Sequence, residues 1–465
     1  MHQSEHLEIL QLKKNEDKID KIFLLIKILL LLINFIKTNT LLSIYILKEE
    51  IYSQPIHYLL KIMDNCLSLG LSFVEIKENA NFIFDHTDKN SVQINIEFFR
   101  SLIIEKNYNY NHYFRQKPII YFKDGQKEDW LSSAFYIINC FQEYQKEENC
   151  LENDIYGRFK YESSFQYRFN CIEENLVQQY FILFCRRDLN LQIKETNFLK
   201  SRVFLSHDID SVNGSFLQDG LWAIKKGRLD IVVKLIFNEI FSNPDWKNID
   251  FINRIHNEYN LKSTFFWLAS NKIGKNQIKN GDYNFSELSR LSSLTKSNGL
   301  HKSSLEMDID EEIKTLPFKT NFNRYHFLKF GIPEDWHNIS NSSVLLDASL
   351  GFAERIGFRN GFGLPFKPYN LMSESSYDFI EVPLNIMDGT LQKYMNIPME
   401  NTSENVINFF EKNKTNTLIS ILWHNTFFTN YKYKGYLNEY KKILNYILES
   451  KVVSVTPEDL IEEFK

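Results

Sequence analysis

Two carboxylates directly follow an apolar segment in the middle of the chain. Residues 203–206 (Val-Phe-Leu-Ser) lead into His207, Asp208, Ile209 and Asp210. Side chains two residues apart share one side of a strand, so Asp208 and Asp210 are expected close together, while His207 points the other way in a supporting role. Buried carboxylates are costly unless they are paired, hydrogen-bonded or bound to a cation. The spacing therefore indicates either a cation site or two acids that cap a turn.

Three histidines stand at the ends of later apolar segments. His301 follows Gly-Leu, His326 follows Arg324 and a tyrosine, and His424 follows Leu-Trp. A single histidine in such a place is more often a hydrogen-bond partner than a metal ligand. Together with the two acids, these residues could bind one divalent metal through oxygen and nitrogen, and still leave an acid and a base for proton transfer.

These side chains require a framework in which several strand ends meet. After about residue 200, short segments rich in β-branched and aromatic residues alternate with amphipathic segments, which predicts an α/β fold with a parallel sheet. The predicted strands are 203–207, 263–268, 299–301, 323–327, 344–347, 379–384, 418–423 and 452–455. The predicted helices include 251–259, 285–294, 403–412 and 437–448. About seven or eight such units suit a (β/α) barrel, in which chemistry collects at the carboxyl ends of the strands.

The composition excludes several classes of protein. Across 465 residues, 54 Lys and Arg against 59 Asp and Glu give a net charge of −5, which removes the electrostatic reason to expect a nucleic-acid partner. The five cysteines show no C-x-x-C spacing, which argues against a disulfide framework and against a zinc ribbon. The sequence also lacks the phosphate-loop, dinucleotide-binding and serine-hydrolase motifs.

The sequence pattern of the first part of the chain differs from that of the rest, and the change falls near residues 190–202. We predict three regions: an N-terminal apolar, helical extension (1–50), a separate α+β domain (51–198) and the barrel (199–465). The apolar run Ile22–Ile36 is interrupted by Lys27 and is shorter than the about 20 residues needed to cross a bilayer. An amphipathic or buried helix and a cytoplasmic location are therefore expected. Membrane association through this run is the alternative.

Residues 202–465 resemble the polysaccharide deacetylase (NodB-homology, carbohydrate esterase) family in five segments that follow the family's order. Leu-Ser-His-Asp-Ile-Asp at 205–210 is similar to the first motif, residues 263–266 to the strand that follows, and Gly-Leu-His at 299–301 to the histidine motif. Residues 323–328 with 346–351 resemble the arginine motif and the segment after it, and 422–425 (Leu-Trp-His-Asn) resemble the late leucine–histidine motif. The resemblance implies an irregular (β/α) barrel of the deacetylase type. Residues 60–185 are similar to an uncharacterised domain that often precedes this module in bacterial proteins.

The resemblance also implies a metal site, with one departure from the family. The second metal histidine of the family falls at Leu305, which cannot act as a ligand. We expect His326, or a water, to replace it beside Asp210 and His301. The expected metal is zinc, with cobalt or nickel as alternatives.

The remaining candidates are assigned by the same resemblance. Asp208 would be the general base, His424 the general acid, and Arg324 would orient Asp208. The predicted sugar-binding residues are Tyr325, Trp423 and Arg359, although aromatic residues at these positions fit a core equally well.

The function that these expectations imply is metal-dependent removal of N-acetyl or O-acetyl groups from a carbohydrate. The setting implied is the assembly of a bacterial surface polysaccharide. Two alternatives stay open: a degraded site that binds carbohydrate or acts as a scaffold, which Leu305 favours, and a hydrolase that acts on a non-sugar amide.

Overall fold

The computed structural model describes residues 41–123, 125–144, 153–194, 198–241, 243–274 and 280–465. These residues divide into two compact units. The smaller unit comprises residues up to Lys48 together with Ser68–Gln93, and the larger comprises Glu49–Leu67 with Ile94–Lys465. In the smaller unit, three strands form a parallel sheet in the order β2-β1-β3: β1 (Leu42–Ile46), β2 (Leu71–Phe73) and β3 (Phe82–Phe84).

The larger unit contains the remaining strands. They are β4 (Ile120–Tyr121), β5 (Glu128–Asp129), β6 (Arg202–Ile209), β7 (Thr264–Leu268), β8 (Asn298–Lys302), β9 (Phe322–Tyr325), β10 (Leu346–Asp347), β11 (Tyr369–Asn370), β12 (Ser375–Ser376), β13 (Ile380–Glu381), β14 (Ile386–Met387), β15 (Leu418–Leu422) and β16 (Val453–Ser454).

The α-helices of the larger unit surround these strands. They are α1 (Ser53–Leu67), α2 (Ile96–Ile103), α3 (Tyr110–Tyr113), α4 (Trp130–Ile138), α5 (Phe165–Arg168), α6 (Leu176–Arg187), α7 (Gly220–Lys225), α8 (Leu229–Ile240), α9 (Ile249–Glu258), α10 (Phe285–Ser292), α11 (Ile309–Lys314), α12 (Glu334–Ser340), α13 (Thr402–Lys412), α14 (Tyr436–Glu449) and α15 (Pro457–Glu463).

The main sheet has nine strands in the order β13-β10-β9-β8-β7-β6-β15-β14, with β16 also paired to β6, and every pairing is parallel. One extended segment joins its two edges. Val382 donates a backbone hydrogen bond to Asp347 beside β10, whereas Asn385 donates one to Ser420 in β15. Because the donors of these two hydrogen bonds are only three positions apart in the chain, the sheet must be curled so that its edges come close together. The fold is therefore a barrel-like α/β structure.

Alternation along the strands places a core below the candidate site. In β6, Phe204 is in the buried apolar cluster with Phe266 and Phe322, and Asp208 lies further along on the same side of the strand. Gly299 in β8 is required in this crowded layer, because a Cβ atom there would lie 2.7 Å from both Phe266 and Phe322. Aromatic packing thus fills one end of the barrel and leaves the carboxyl ends of the strands to polar residues.

The predicted elements are largely confirmed. Each predicted strand from 203–207 to 452–455 overlaps an observed strand, and the four named helices are present with ends that move by up to two residues. The segment predicted as the strand 379–384 carries β13 and is followed by the unpredicted strand β14, since the chain bends there from one edge of the sheet to the other.

The N-terminal predictions have mixed outcomes. Residues 42–46, placed in a helical extension by the sequence, form a strand, because the run Leu-Ser-Ile-Tyr-Ile pairs on both sides. The run Ile22–Ile36 lies outside the described residues. Within the described part of the chain, no helix is long and apolar enough to span a membrane. The four described cysteines are buried and free. Domain boundaries at 50 and 198 stay a prediction.

Candidate metal and catalytic site

Asp210, His301 and His326 form a group that could hold a metal ion. One potential ligand atom of each lies within 4.8 Å of the others. Asp210 Oδ1 is 3.2 Å from His301 Nε2 and 3.6 Å from His326 Nε2. The three residues come from the ends of β6 and β8 and from the turn after β9, so the parallel sheet brings them to one edge.

The orientation of these side chains fits a bound divalent cation. The Nδ1 atom of His301 donates to the carbonyl oxygen of Arg324 at 2.9 Å, which turns Nε2 toward Asp210. No described residue gives the buried Oδ1 of Asp210 a hydrogen bond of good geometry. A buried carboxylate oxygen without a donor requires a cation or another partner. One oxygen and two imidazole nitrogens form a donor set typical of zinc and neighbouring divalent metals.

His326 is presented by an unusual turn. Residues His326–Leu328 form a short 3-10 turn in which Phe327 and Leu328 have φ angles of 58° and 52°. Left-handed backbone at bulky residues costs energy and persists only where neighbouring contacts hold it. The ring of Phe327 stacks on His326, with centroids 4.0 Å apart.

Arg158 and Tyr156, in the loop 153–160, contact this turn from outside the sheet. Arg158 Nη1 donates to the carbonyl oxygen of Phe327 at 3.0 Å, and Asp154 fixes Arg158 through a hydrogen bond of 2.7 Å from Nε. Tyr156 stacks on Phe327 with centroids 5.9 Å apart and the rings tilted by 6°. These contacts link a loop far away in sequence to a metal-ligand candidate.

Asp208 lies beside the metal group and is held by a buried arginine. Arg324 Nη1 donates to Asp208 Oδ1 at 2.9 Å and to Ser206 Oγ at 2.8 Å. The guanidinium is fully buried and lies over the ring of Phe266 at 4.4 Å. The second carboxylate oxygen of Asp208 is 3.6 Å from His301 Nε2. The predicted contact between Arg324 and Asp208 is therefore present in the structure.

His424 approaches the same group from the other side. Its Nε2 atom is 3.8 Å from Asp210 Oδ2, and its Nδ1 atom is 2.7 Å from Asp388 Oδ1. The backbone N–H of His424 also donates to Asp388, at 2.6 Å. Asp388 is fully buried and therefore fixes the orientation of the imidazole.

Electrostatics differ among the three histidines. Burial lowers the pKa of His326 to about 4, so this ring is neutral at neutral pH. Burial also lowers the pKa of His424, but the Asp388 carboxylate outweighs this effect and raises the pKa to about 10. Burial also lowers the pKa of His301, whereas Asp208 and Asp210 outweigh that effect and raise it.

Asp210 stays ionised in this setting. Burial alone would raise the pKa of its carboxyl, but the imidazoles of His326 and His301 hold the pKa well below its usual range. In the metal-free protein, Asp210 and His326 thus have the protonation states in which these side chains act as ligands.

Leu305 lies in the loop after β8. Its carbonyl oxygen accepts a hydrogen bond from Lys302 Nζ at 3.2 Å, and Lys302 also pairs with the buried Glu312 at 2.6 Å. This loop and the turn at His326 line a cavity of about 1070 Å³, whose other walls come mainly from α11 and α12. His326 is the member of the metal group that reaches the cavity.

The predicted sugar-binding residues are placed in the interior. Trp423 is fully buried, with its ring 4.8 Å from that of Tyr440. Arg359 is fully buried and forms an ion pair with Glu143. The side chains of both residues are therefore unavailable to a substrate in this structure, because packing and charge pairing use them elsewhere. Tyr325 is buried as well but lines the cavity.

His207 has the supporting position that strand alternation predicts. Its Nδ1 atom is 2.6 Å from the carbonyl oxygen of Trp423, and its Nε2 atom is 3.0 Å from His256 Nε2. Burial lowers the pKa of His207 to about 4.

Two residues of the site, Asp388 and Arg158, are not predicted from the sequence. Asp388 follows β14, a strand of two residues that is too short to be visible as a pattern. The apolar pair Ile386-Met387 ahead of an aspartate was its only signal. Arg158 stands in the loop 153–160, whose sequence implied no activity, and only the fold shows that it contacts the turn at Phe327.

Two parts of the chain are similar to known sequences or structures. Residues 44–188 match the model of a family of unknown function, DUF7033, which covers less than half of the chain. A solved structure, "Crystal structure of putative polysaccharide deacetylase from Mycobacterium smegmatis", aligns with 57% of this chain and 90% of that chain, at 11% identity and a TM-score of 0.36. No curated protein matches. At this TM-score, the function has to be inferred from the site itself.

Proposed function

We propose that residues 199–465 form a metal-dependent carbohydrate deacetylase of the polysaccharide deacetylase type. The observation that carries the proposal is the convergence of three ligand candidates with a carboxylate on one side and a cationic imidazole on the other. Asp208 is 3.6 Å from His301, and His424 is 3.8 Å from Asp210. Such an arrangement supplies a metal group, a base and an acid to a single substrate bond.

Asp210, His301 and His326 would hold the metal, with zinc as the first expectation and cobalt or nickel as alternatives. A divalent cation bound there would polarise a carbonyl group and make a water more acidic. The proposal does not need a ligand at position 305, because the ring of His326 occupies the third place in the group.

Asp208 would act as the general base. Arg324 donates a hydrogen bond to one carboxylate oxygen of Asp208 and so restrains the side chain. The other oxygen faces the ligand group, 3.6 Å from His301 Nε2. This carboxylate would accept a proton from a water as the water oxygen bonds to the carbonyl carbon of an acetamide. The role of Arg324 is positioning, since it touches the base rather than the substrate.

His424 would act as the general acid. Asp388 keeps its imidazole protonated at neutral pH and fixes its direction. When the carbon–nitrogen bond breaks, the imidazolium would give its proton to the departing amine. Acetate and a free amino sugar are the products, or acetate and an alcohol if the bond is an ester.

A carbohydrate substrate agrees with the surroundings of the site. The cavity at His326 is lined largely by polar and charged side chains, which suits a hydroxyl-rich ligand. Phe327 is an aromatic side chain on the lining, 42% exposed and next to the ligand candidate. Aromatic rings beside a polar cavity can pack against the apolar face of a sugar ring.

The test is acetate release by the full chain, after metal removal and reloading with Zn²⁺, Co²⁺ or Ni²⁺, from N-acetylated oligosaccharides. Release should require metal and fall at least 100-fold in Asp208→Asn and in His424→Asn. Metal uptake with oligosaccharide binding but no hydrolysis would favour a carbohydrate-binding protein. Hydrolysis only of a small non-sugar amide would overturn the carbohydrate assignment and keep the reaction.

A further inference from the structure

A second surface of the molecule has no role in the proposed reaction. Along α8, an outward stripe contains Leu229, Val233, Ile236, Phe237 and Ile240, each of which is exposed. These residues follow the i, i+4, i+7, i+8, i+11 spacing of one helix face. Apolar side chains at that spacing normally face a core, but here they face outward.

The preceding helical segment carries a second exposed apolar stripe. Residues Ser215–Asp219 lead directly into α7, and Leu217, Leu221 and Ile224 are exposed at i, i+4 and i+7. We call the eight residues of the two stripes the apolar surface. Exposed patches of this kind that have a polar rim mark sites of interaction with proteins or membranes.

The apolar surface is not the packing face of these helices. Ile231 and Leu235 of α8 and Ala223 of α7 form a separate buried cluster, with Tyr431 packed against it. The two helices therefore use one face to attach to the rest of the unit, and the opposite apolar face remains without a partner among the described residues.

Charge and residue type favour a lipid bilayer as the partner. The exposed cations Lys225, Lys226 and Arg228 lie at the end of α7 and in the turn before α8, and Arg228 pairs with Asp230 at 2.6 Å. The apolar surface consists of Leu, Ile, Val and one Phe, and Phe216 and Phe241 are exposed beside it, whereas the hot spots of protein interfaces are enriched in Trp, Tyr and Arg and poor in Leu and Val. Aliphatic faces with flanking lysines are typical of helices that lie in the interface of an anionic membrane.

We propose that the apolar surface inserts into the headgroup region of an anionic bilayer, with Lys225 and Lys226 on the phosphate groups. This surface is separate from the metal group, so the inference does not depend on the proposed reaction. It also needs no contribution from residues 1–40, because the apolar side chains and the cations all lie in 217–240.

The test is binding of the full chain to sedimented vesicles of phosphatidylcholine, with and without phosphatidylglycerol. Phe237→Ser/Ile240→Ser replaces side chains that are 60% and 69% exposed, so the fold should persist. The double variant should bind anionic vesicles about 100-fold more weakly. Lys225→Gln/Lys226→Gln should lose about tenfold on anionic vesicles only, and added salt should remove the difference.

Ile155→Ser/Met372→Ser is the matched control, because both side chains are exposed apolar residues outside the apolar surface. It should bind vesicles as the wild type does, and thermal unfolding checks that each variant is folded. Equal binding by the wild type and Phe237→Ser/Ile240→Ser would overturn the proposal. Absence of vesicle binding by the wild type would also overturn the proposal. This includes the case in which Phe237→Ser/Ile240→Ser abolishes only self-association of the chain.

Discussion

His326 is the residue on which the candidate metal site depends most. Leu305 offers no ligand atom, so the group has three protein ligands only if the imidazole of His326 takes part. His326→Ala should therefore lower the affinity for Zn²⁺ or Co²⁺ at least 100-fold, measured by competition with a chromophoric chelator. His337→Ala, at a partly exposed histidine that contacts Tyr377, should bind metal as the wild type does. Unchanged affinity in His326→Ala would remove this residue from the ligand set.

Asp388 should control the protonation of His424. Burial disfavours the charged imidazole, and the Asp388 carboxylate at 2.7 Å more than offsets this effect. In the metal-free protein, the His424 ring should stay protonated at pH 8, followed by NMR of the ring nitrogens. Asp388→Asn removes the compensating charge, so the pKa of His424 should fall by more than two units and the ring should be neutral at pH 8.

A matched variant gives the control for that titration. Asp378→Asn changes an exposed aspartate outside the site and should leave the His424 titration unmoved. A His424 ring that titrates alike in the wild type and in Asp388→Asn would show that Asp388 does not set its charge.

At the scale of elements, the turn that carries His326 should depend on Arg158. The left-handed Phe327 costs energy that the Arg158 hydrogen bond to its carbonyl oxygen helps to offset. Arg158→Gln should weaken Co²⁺ binding about 10-fold to 100-fold and shift the visible absorption bands of the bound Co²⁺, because the imidazole loses its fixed position. Arg168→Gln, at an exposed arginine, should do neither. A loss of thermal stability with unchanged Co²⁺ spectrum and affinity would make Arg158 merely structural.

The elements themselves were largely accessible from the sequence. Strand β6 is visible because Val-Phe-Leu-Ser precedes the acids, and its alternation correctly separates Asp208 from His207. The ligand candidates were visible because each follows an apolar segment that ends at the same edge of a parallel sheet. Trp423 and Arg359 show the limit, since a sequence does not reveal whether an aromatic or charged side chain is already used by a neighbour such as Tyr440 or Glu143.

Contacts between distant segments were inaccessible for the same reason. The pairing of Arg158 with the carbonyl oxygen of Phe327 links positions 169 residues apart, and no local pattern records it. The position of Asp388 depends on β14, and this strand pairs with β15 only because the sheet curls. Local periodicity predicts elements, whereas the closure of the sheet determines which of their ends meet.

At the scale of the whole molecule, two buried carboxylates should make stability depend on pH. Asp347 and Glu381 are fully buried and are register partners on the parallel strands β10 and β13. Burial raises the pKa of Asp347 to about 6, although Ser349 and Asn323 donate hydrogen bonds to its carboxylate. Burial and the neighbouring Asp347 also raise the pKa of Glu381.

The sign of the effect follows from proton uptake. The unfolded chain releases the Asp347 proton near its ordinary pKa of about 4, while the folded protein keeps it up to about pH 6. Between these values the folded state binds more protons, so the free energy of unfolding should fall as pH rises. Ionisation of Asp347 in the folded protein thus lowers the free energy of unfolding as pH rises through this window, and Asp347→Asn should remove that contribution. Denaturant unfolding at pH 4 and pH 7 should therefore show a smaller loss in Asp347→Asn than in the wild type. Asp378→Asn, an exposed aspartate, should retain the wild-type loss, and identical pH dependence in all three proteins would contradict a protonated Asp347 in the folded state.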